Sequence, residues 1–324
     1  MTARRRVVLV AALAAAAAAG IAAIAVVSGG DGSPAATTTA AKPRPGRPPL
    51  SFALGFRTDT EARDLRRGEA LYDAGKQAAA EALFRRHHSL EAQVGAAFAT
   101  WPNGTLDRLE QLGVLYPQSA LVQLHLGLAR LWAGRGDPVA AWRAVIDDEP
   151  DTPYAILAGN VLHPRLPRGI PVFTPSFAAP TQVQLLPAGR QLEALRVRAK
   201  AGDARDLILY GVGLQRVGRP VSAEHAFQQA ARAAPRDAEA QVAAAVGSFD
   251  KDEPAIAFGR LGPLTRTFPN EPTVRFHLGV LLLWTGRIDA AVRQFRIASQ
   301  TQPGSPLARE AARYLETIQR ARSG

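Results

Sequence analysis

Pro235, Pro269 and Pro303 stand 34 residues apart, and the residues ahead of each fall into register when segments 204–237, 238–271 and 272–305 are superposed. A fixed period of this size requires stacked supersecondary units, because one such unit cannot bury its apolar face alone. In the first segment Leu207, Tyr210, Gly211, Leu214, Ala223, Phe227, Ala230 and Pro235 occupy positions 4, 7, 8, 11, 20, 24, 27 and 32. In the third, Leu278, Gly279, Leu282, Ala291, Phe295, Ala298 and Pro303 fall at 7, 8, 11, 20, 24, 27 and 32. Small residues at 8, 20 and 27 let two helices approach, large ones at 7, 11 and 24 fill the gap, and the proline stops the second helix. The middle segment departs, with Ala244, Ala245, Ser248, Ala257, Leu261, Leu264 and Pro269.

These positions resemble the tetratricopeptide repeat, which places W-x-x-L-G-x-x-Y on a helix A and A-x-x-x-F-x-x-A on a helix B before a closing proline. The resemblance implies an all-α fold, an α-solenoid of helix-turn-helix repeats. Before residue 204 it weakens. Pro117 closes a segment at 86–119, Gly127 sits at position 8 of one starting near 120, and Leu71, Ala80 and Phe84 mark a degenerate one at 52–85. The expected organisation is therefore degenerate repeats over 52–153 and a repeat over 154–203 carrying a Pro-rich insertion at about 163–185. Three repeats follow over 204–305, with an amphipathic capping helix over 306–324.

The N-terminus has a different character. A basic tail over 1–6 holds Arg4, Arg5 and Arg6, and residues 7–27 carry no charged or polar side chain. A helix of that run spans roughly 31 Å, matching a hydrocarbon core of about 30 Å. Arginines on its N-terminal flank predict a single-pass plasma-membrane signal anchor, N-terminus cytoplasmic and the remainder extracytoplasmic. A cleaved signal and a secreted product remain the alternative, since the run is Ala-rich and small residues follow at 33–41. Residues 28–50 are rich in Gly, Ser, Thr and Pro, the composition of a disordered linker.

Cysteine is absent and the formal net charge is +11. The first fact removes disulfides, thiolate chemistry, Cys-ligated metals and a lipid anchor. The second is less of a nucleic-acid signal than it looks, because about +5 of it lies in residues 1–47 and the remaining Arg residues are interleaved with Asp and Glu. No G-x-S-x-G or P-loop occurs, His87-His88 with Glu91 lacks a third ligand, and the acidic run at 147–151 lacks EF-hand spacing. The sequence thus points to a non-enzymatic protein with no catalytic residues, no metal, no cofactor, no small-molecule substrate and no nucleic-acid partner.

The resemblance also implies where a partner binds: the helix A positions that line the family's concave groove. Here these are Phe98, Leu124, Leu128, Trp132, Val212, Val246, Phe249, Phe276, Val280 and Trp284. Apolar residues there fit an amphipathic helix or an extended apolar peptide, which makes the expected role a protein–protein scaffold in the cell envelope, attached to the membrane. Three readings stay open: a groove that takes a partner, side chains buried between helices, and occupation of the groove by the chain's own insertion with Val172, Phe173 and Phe177. Binding of an anionic envelope polymer by the basic convex surface is the alternative function.

Overall fold

The computed structural model describes residues 42–323. The basic tail, the apolar run of 7–27 and the linker up to 41 lie outside the described residues. All regular structure among the described residues is helical, and no helix there is long and apolar enough to cross a membrane. The described chain forms two compact units that divide between Leu162 and His163.

The first unit holds α1 (Thr60–Asp73), α2 (Gln77–Phe84), α3 (Leu90–Ala99), α4 (Thr105–Leu115), α5 (Ala120–Ala133), α6 (Pro138–Asp148) and α7 (Pro153–Leu162). Their starts are written locally: Asp59, Ser89, Ser119 and Asp137 each accept a backbone N–H of the helix that follows, satisfying a donor without an intrahelical partner. Helices pair in order as α1–α2, α3–α4 and α5–α6, with α7 packed on α5 and α6. Two of these pairs, α1–α2 and α5–α6, touch through a glycine on the first helix. A Cβ on Gly68 would sit 2.4 Å from the Phe84 ring, and one on Gly127 would sit 2.3 Å from Trp142. Gly68 and Phe84 thereby take positions 8 and 24 of a repeat that starts near residue 61. The stretch 52–59 ahead of it is not helical and turns at 55–56.

The second unit begins with a stretch without regular structure over 163–180, turned at 164–166, then α8 (Thr181–Gln184) and α9 (Ala188–Ala199). Three hairpins follow: α10 (Ala204–Arg216) with α11 (Pro220–Ala233), α12 (Ala238–Gly247) with α13 (Pro254–Thr267), and α14 (Pro272–Trp284) with α15 (Ile288–Thr301). We call the first helix of each hairpin A and the second B. Pro235, Pro269 and Pro303 each stand two residues past a B helix, and the residue before each proline has nearly the same backbone: φ −133°, ψ 72° at Ala234, −129°, 63° at Phe268 and −138°, 80° at Gln302. That non-helical shape is what a following proline favours, so the 34-residue period is a period of helix termination. Gly211 and Gly279 let Phe227 and Phe295 lie flat on the A helix, where an added Cβ would stand 2.4 and 2.7 Å from the rings. Full burial of each ring contributes about 1.5–3 kcal/mol. α16 (Pro306–Ser323) closes the stack on α14 and α15 by burying Leu307, Ala311 and Ile318.

Residues 44–50 have a linker composition but are packed. Pro48 and Leu50 are buried. What the composition could not reveal is a helical face ready to receive them.

Candidate functional site

The faces formed by the A helices are occupied, and the occupant in each unit is the chain itself. In the second unit residues 167–177 lie extended across α10, α12 and α14, and we call this segment a strap. The Phe173 N–H donates to Gln215 Oε1 on α10 at 3.0 Å, the Thr174 N–H to His277 Nε2 on α14 at 3.0 Å, and the Ser176 N–H to Glu239 Oε1 on α12 at 3.2 Å. At the other end, Lys251 Nζ donates to the Pro167 carbonyl at 2.9 Å. Phe173 is buried, stacked on the His277 ring at 4.5 Å and edge-on to Phe227 at 5.7 Å. Arg205 covers Phe177 at 5.2 Å.

The first unit repeats the arrangement with residues 44–54. The Arg44 N–H donates to the Trp132 carbonyl at 2.9 Å, and its guanidinium lies over the Trp132 ring. Trp101 Nε1 donates to Gly46 O at 3.1 Å and the Tyr72 hydroxyl to Pro48 O at 2.7 Å. The Ser51 N–H donates to His125 Nε2 at 3.3 Å and the Ala53 N–H to the Tyr154 hydroxyl at 3.0 Å. Phe52 packs edge-on to Phe84 at 5.8 Å, and its N–H donates to Glu69.

Both histidines present a fixed lone pair. His125 and His277 are fully buried, and each Nδ1 faces the carbonyl four residues back, Leu121 or Thr273, at 2.7 Å. A carbonyl only accepts, so Nδ1 carries the proton and Nε2 is left to accept the strap's N–H. Burial pushes both imidazoles down to about 4, which keeps them neutral acceptors at physiological pH. Glu69 and Glu239 are pushed the other way, to about 7, chiefly by burial. Burial also lowers Lys251 to about 7.

The groove residues expected from the sequence divide between the two faces. Phe98, Leu124, Leu128 and Trp132 belong to the first unit: Phe98 is buried with its ring 5.1 Å from His125, Leu124 and Leu128 are buried on α5, and Trp132 is half-buried beneath Arg44. In the second unit Val212 and Val246 are buried in the cluster that includes Phe173, and Phe249 stands edge-on to Trp284 at 6.4 Å. Trp284 lies against the backbone of Gly169 in the strap. Val280 is buried, and Phe276 packs against Phe295 and Tyr314 at 5.8 and 5.7 Å, so it faces its own B helix and the capping helix instead of the strap. His87, singled out with His88 and Glu91, pairs with Asp64 at 2.9 Å.

Sequence reasoning missed the polar half of both faces: Tyr72, His125, Tyr154, Gln215, Glu239, Lys251 and His277. One signal for it was present. Residues 122–132 read VQLHLGLARLW and residues 274–284 read VRFHLGVLLLW, so Val, His, Leu, Gly, Leu and Trp recur at matching places 152 residues apart. The 34-residue frame assigns that histidine to position 6, which the family pattern leaves unspecified.

Fold and faces together define the class: two units of TPR-like helical repeats, each carrying an extended segment of its own chain on its A helices. No family model and no curated protein sequence matches the chain. Among solved structures, human IFIT1, as a dimer with PPP-AAAA, is 15% identical, with 83% of this chain and 66% of that chain covered and a TM-score of 0.34. Yeast Tom70 is 11% identical over 86% of this chain and 67% of that one, with a TM-score of 0.33. The chain spans about two thirds of the length of each.

Proposed function

We propose that this protein is a non-enzymatic binding scaffold whose A-helix faces take extended polypeptide. The observation that carries this reading is how the straps are held: side-chain acceptors on successive A helices aim at main-chain N–H groups of an extended segment. Pairing of main chain supplies affinity without regard to sequence, while the slots that bury Leu50 and Phe173 add selection. Glu69, Glu239, His125 and His277 owe their displaced pKa values first to burial in the packed faces, a structural origin that does not argue for catalysis. The partner is an apolar or amphipathic segment of another protein.

We further propose that the folded part stands outside the plasma membrane of its cell, tethered by residues 7–27, which raises its local concentration near envelope partners. The support is the uncharged run behind Arg4, Arg5 and Arg6.

Two experiments test these statements. A photo-crosslinking residue at 132 or 284 in native cells is expected to give an adduct with another polypeptide, and one at the exposed Arg293 is expected to give none. Purely internal adducts to the straps from both positions would overturn the scaffold reading. Alkaline extraction of membranes is expected to leave the full chain in the pellet, and a soluble product starting near residue 40 would overturn the tether.

A further inference from the structure

The two straps carry the same four-residue signature in the same register on their faces. Pro48-Pro49-Leu50-Ser51 meets His125, and Pro171-Val172-Phe173-Thr174 meets His277. In both, the proline and the Leu or Phe two residues later are buried, as the two-residue alternation of an extended chain requires for side chains on one side. In both, the Ser or Thr that follows donates its N–H to the histidine. Nowhere else in the sequence does Pro-x-(Leu or Phe)-(Ser or Thr) occur. Two faces built from different helices, each seating that signature against a buried neutral histidine, are two independent observations of one recognition rule.

From this we infer that each A-helix face is a reader of extended Pro-x-(Leu or Phe) segments whose next residue presents its main-chain N–H to the histidine, that the straps are resident copies of the ligand, and that the partner of the 163–323 face carries this signature and replaces 167–177 there. The inference rests on the binding reading proposed above. A replacement is chemically permitted because three of the strap's hydrogen bonds come from main-chain N–H groups, at residues 173, 174 and 176, which another extended segment supplies equally. The side-chain commitments are fewer: Pro167, Pro171 and Phe173 are buried, while Thr174 is exposed. A segment joined to its own face acts at an effective concentration of about millimolar, so an incoming segment meets an apparent affinity lowered by the small fraction of open faces. The signature thus sets which partner fits, and the strap sets how much of it is needed.

The test uses the full chain and a fluorescent peptide of residues 169–178. Phe173→Ala empties the resident slot, and the peptide is expected to bind this variant at least about tenfold tighter than the unaltered chain. A peptide in which the same Phe is Ala is expected to bind the variant at least about tenfold more weakly, and a further His277→Leu change to weaken the unaltered peptide. A folded Phe173→Ala chain that does not distinguish the two peptides overturns the inference. Hydrogen exchange on the unaltered chain gives a second reading that needs no variant. The amides of Phe173, Thr174 and Ser176 are expected to exchange through an opening more frequent than the one that exposes α14, and exchange of all of them in one common opening overturns displacement. A locked strap together with a persistent partner adduct from position 132 defeats this inference alone, whereas loss of partner adducts defeats the binding reading beneath it.

Discussion

Phe227→Ala is expected to destabilise the 163–323 unit by about 3–5 kcal/mol, the range for emptying a fully buried aromatic site that cannot collapse. Phe227 is fully buried, and it is held on two sides by backbone. A Cβ on Gly211 would lie 2.4 Å from its ring and one on Gly247 would lie 2.8 Å from it, so α10 and α12 both rest directly on the phenyl group. The same ring supports Phe173 at 5.7 Å, so strap amides are expected to lose exchange protection along with the hairpin. Urea unfolding followed by amide exchange over 204–284 checks this, with Val197→Ala on the exposed side of α9 as the comparison expected to stay within about 0.5 kcal/mol. A loss below about 1 kcal/mol at Phe227 would mean that the α10–α11 pair does not depend on this contact.

Replacing Glu239 by Gln is expected to turn a nearly pH-independent stability between pH 4.5 and 6.5 into a strongly pH-dependent one. His277 has a folded pKa of about 4 against 6.5 for an unperturbed imidazole. Between those values the unfolded chain binds the extra proton, so this group makes stability rise with pH by about 1.4 kcal/mol per pH unit. Glu239 has a folded pKa of about 7 against 4.5. Between those values the folded chain holds the extra proton, so this group makes stability fall with pH by a similar amount. From pH 4.5 to 6.5 the two slopes oppose each other. Glu239→Gln keeps an oxygen that accepts the Ser176 N–H and removes only the titration, leaving the histidine slope. Stability of the variant is then expected to drop by about 2 kcal/mol from pH 6.5 to pH 4.5, read from denaturant midpoints across that range. A variant as flat as the unaltered chain would show that the carboxyl does not balance the imidazole.

Glu69 and His125 place the same opposition on the first face, since they titrate at about 7 and about 4. Buried acceptors that serve a strap N–H resist charging, whether the group is an acid or an imidazole. The direction of each shift follows from burial.

By itself the sequence determined the repeat. Termination by Pro235, Pro269 and Pro303, capping by Ser and Asp, and the pairing of Gly211 with Phe227 and Gly279 with Phe295 are local or near-local constraints, and they act over distances that a 34-residue period spans. It also determined that Trp132, Val212 and Trp284 belong to A helices. Only the tertiary structure decided what those helices face. Residues 44–50 and 167–177 are proline-rich and lack the helical period of the repeats, so their composition matches that of a free linker. They are ordered by main-chain donors meeting His125, Tyr154, Gln215, Glu239 and His277 across 42 to 103 residues of sequence. A backbone N–H is the same in every residue but proline, so a contact made by it leaves no mark on the residue that makes it. The mark falls on the acceptor, and a lone buried histidine on an apolar helix shows what it accepts only when the segment lying over it is known.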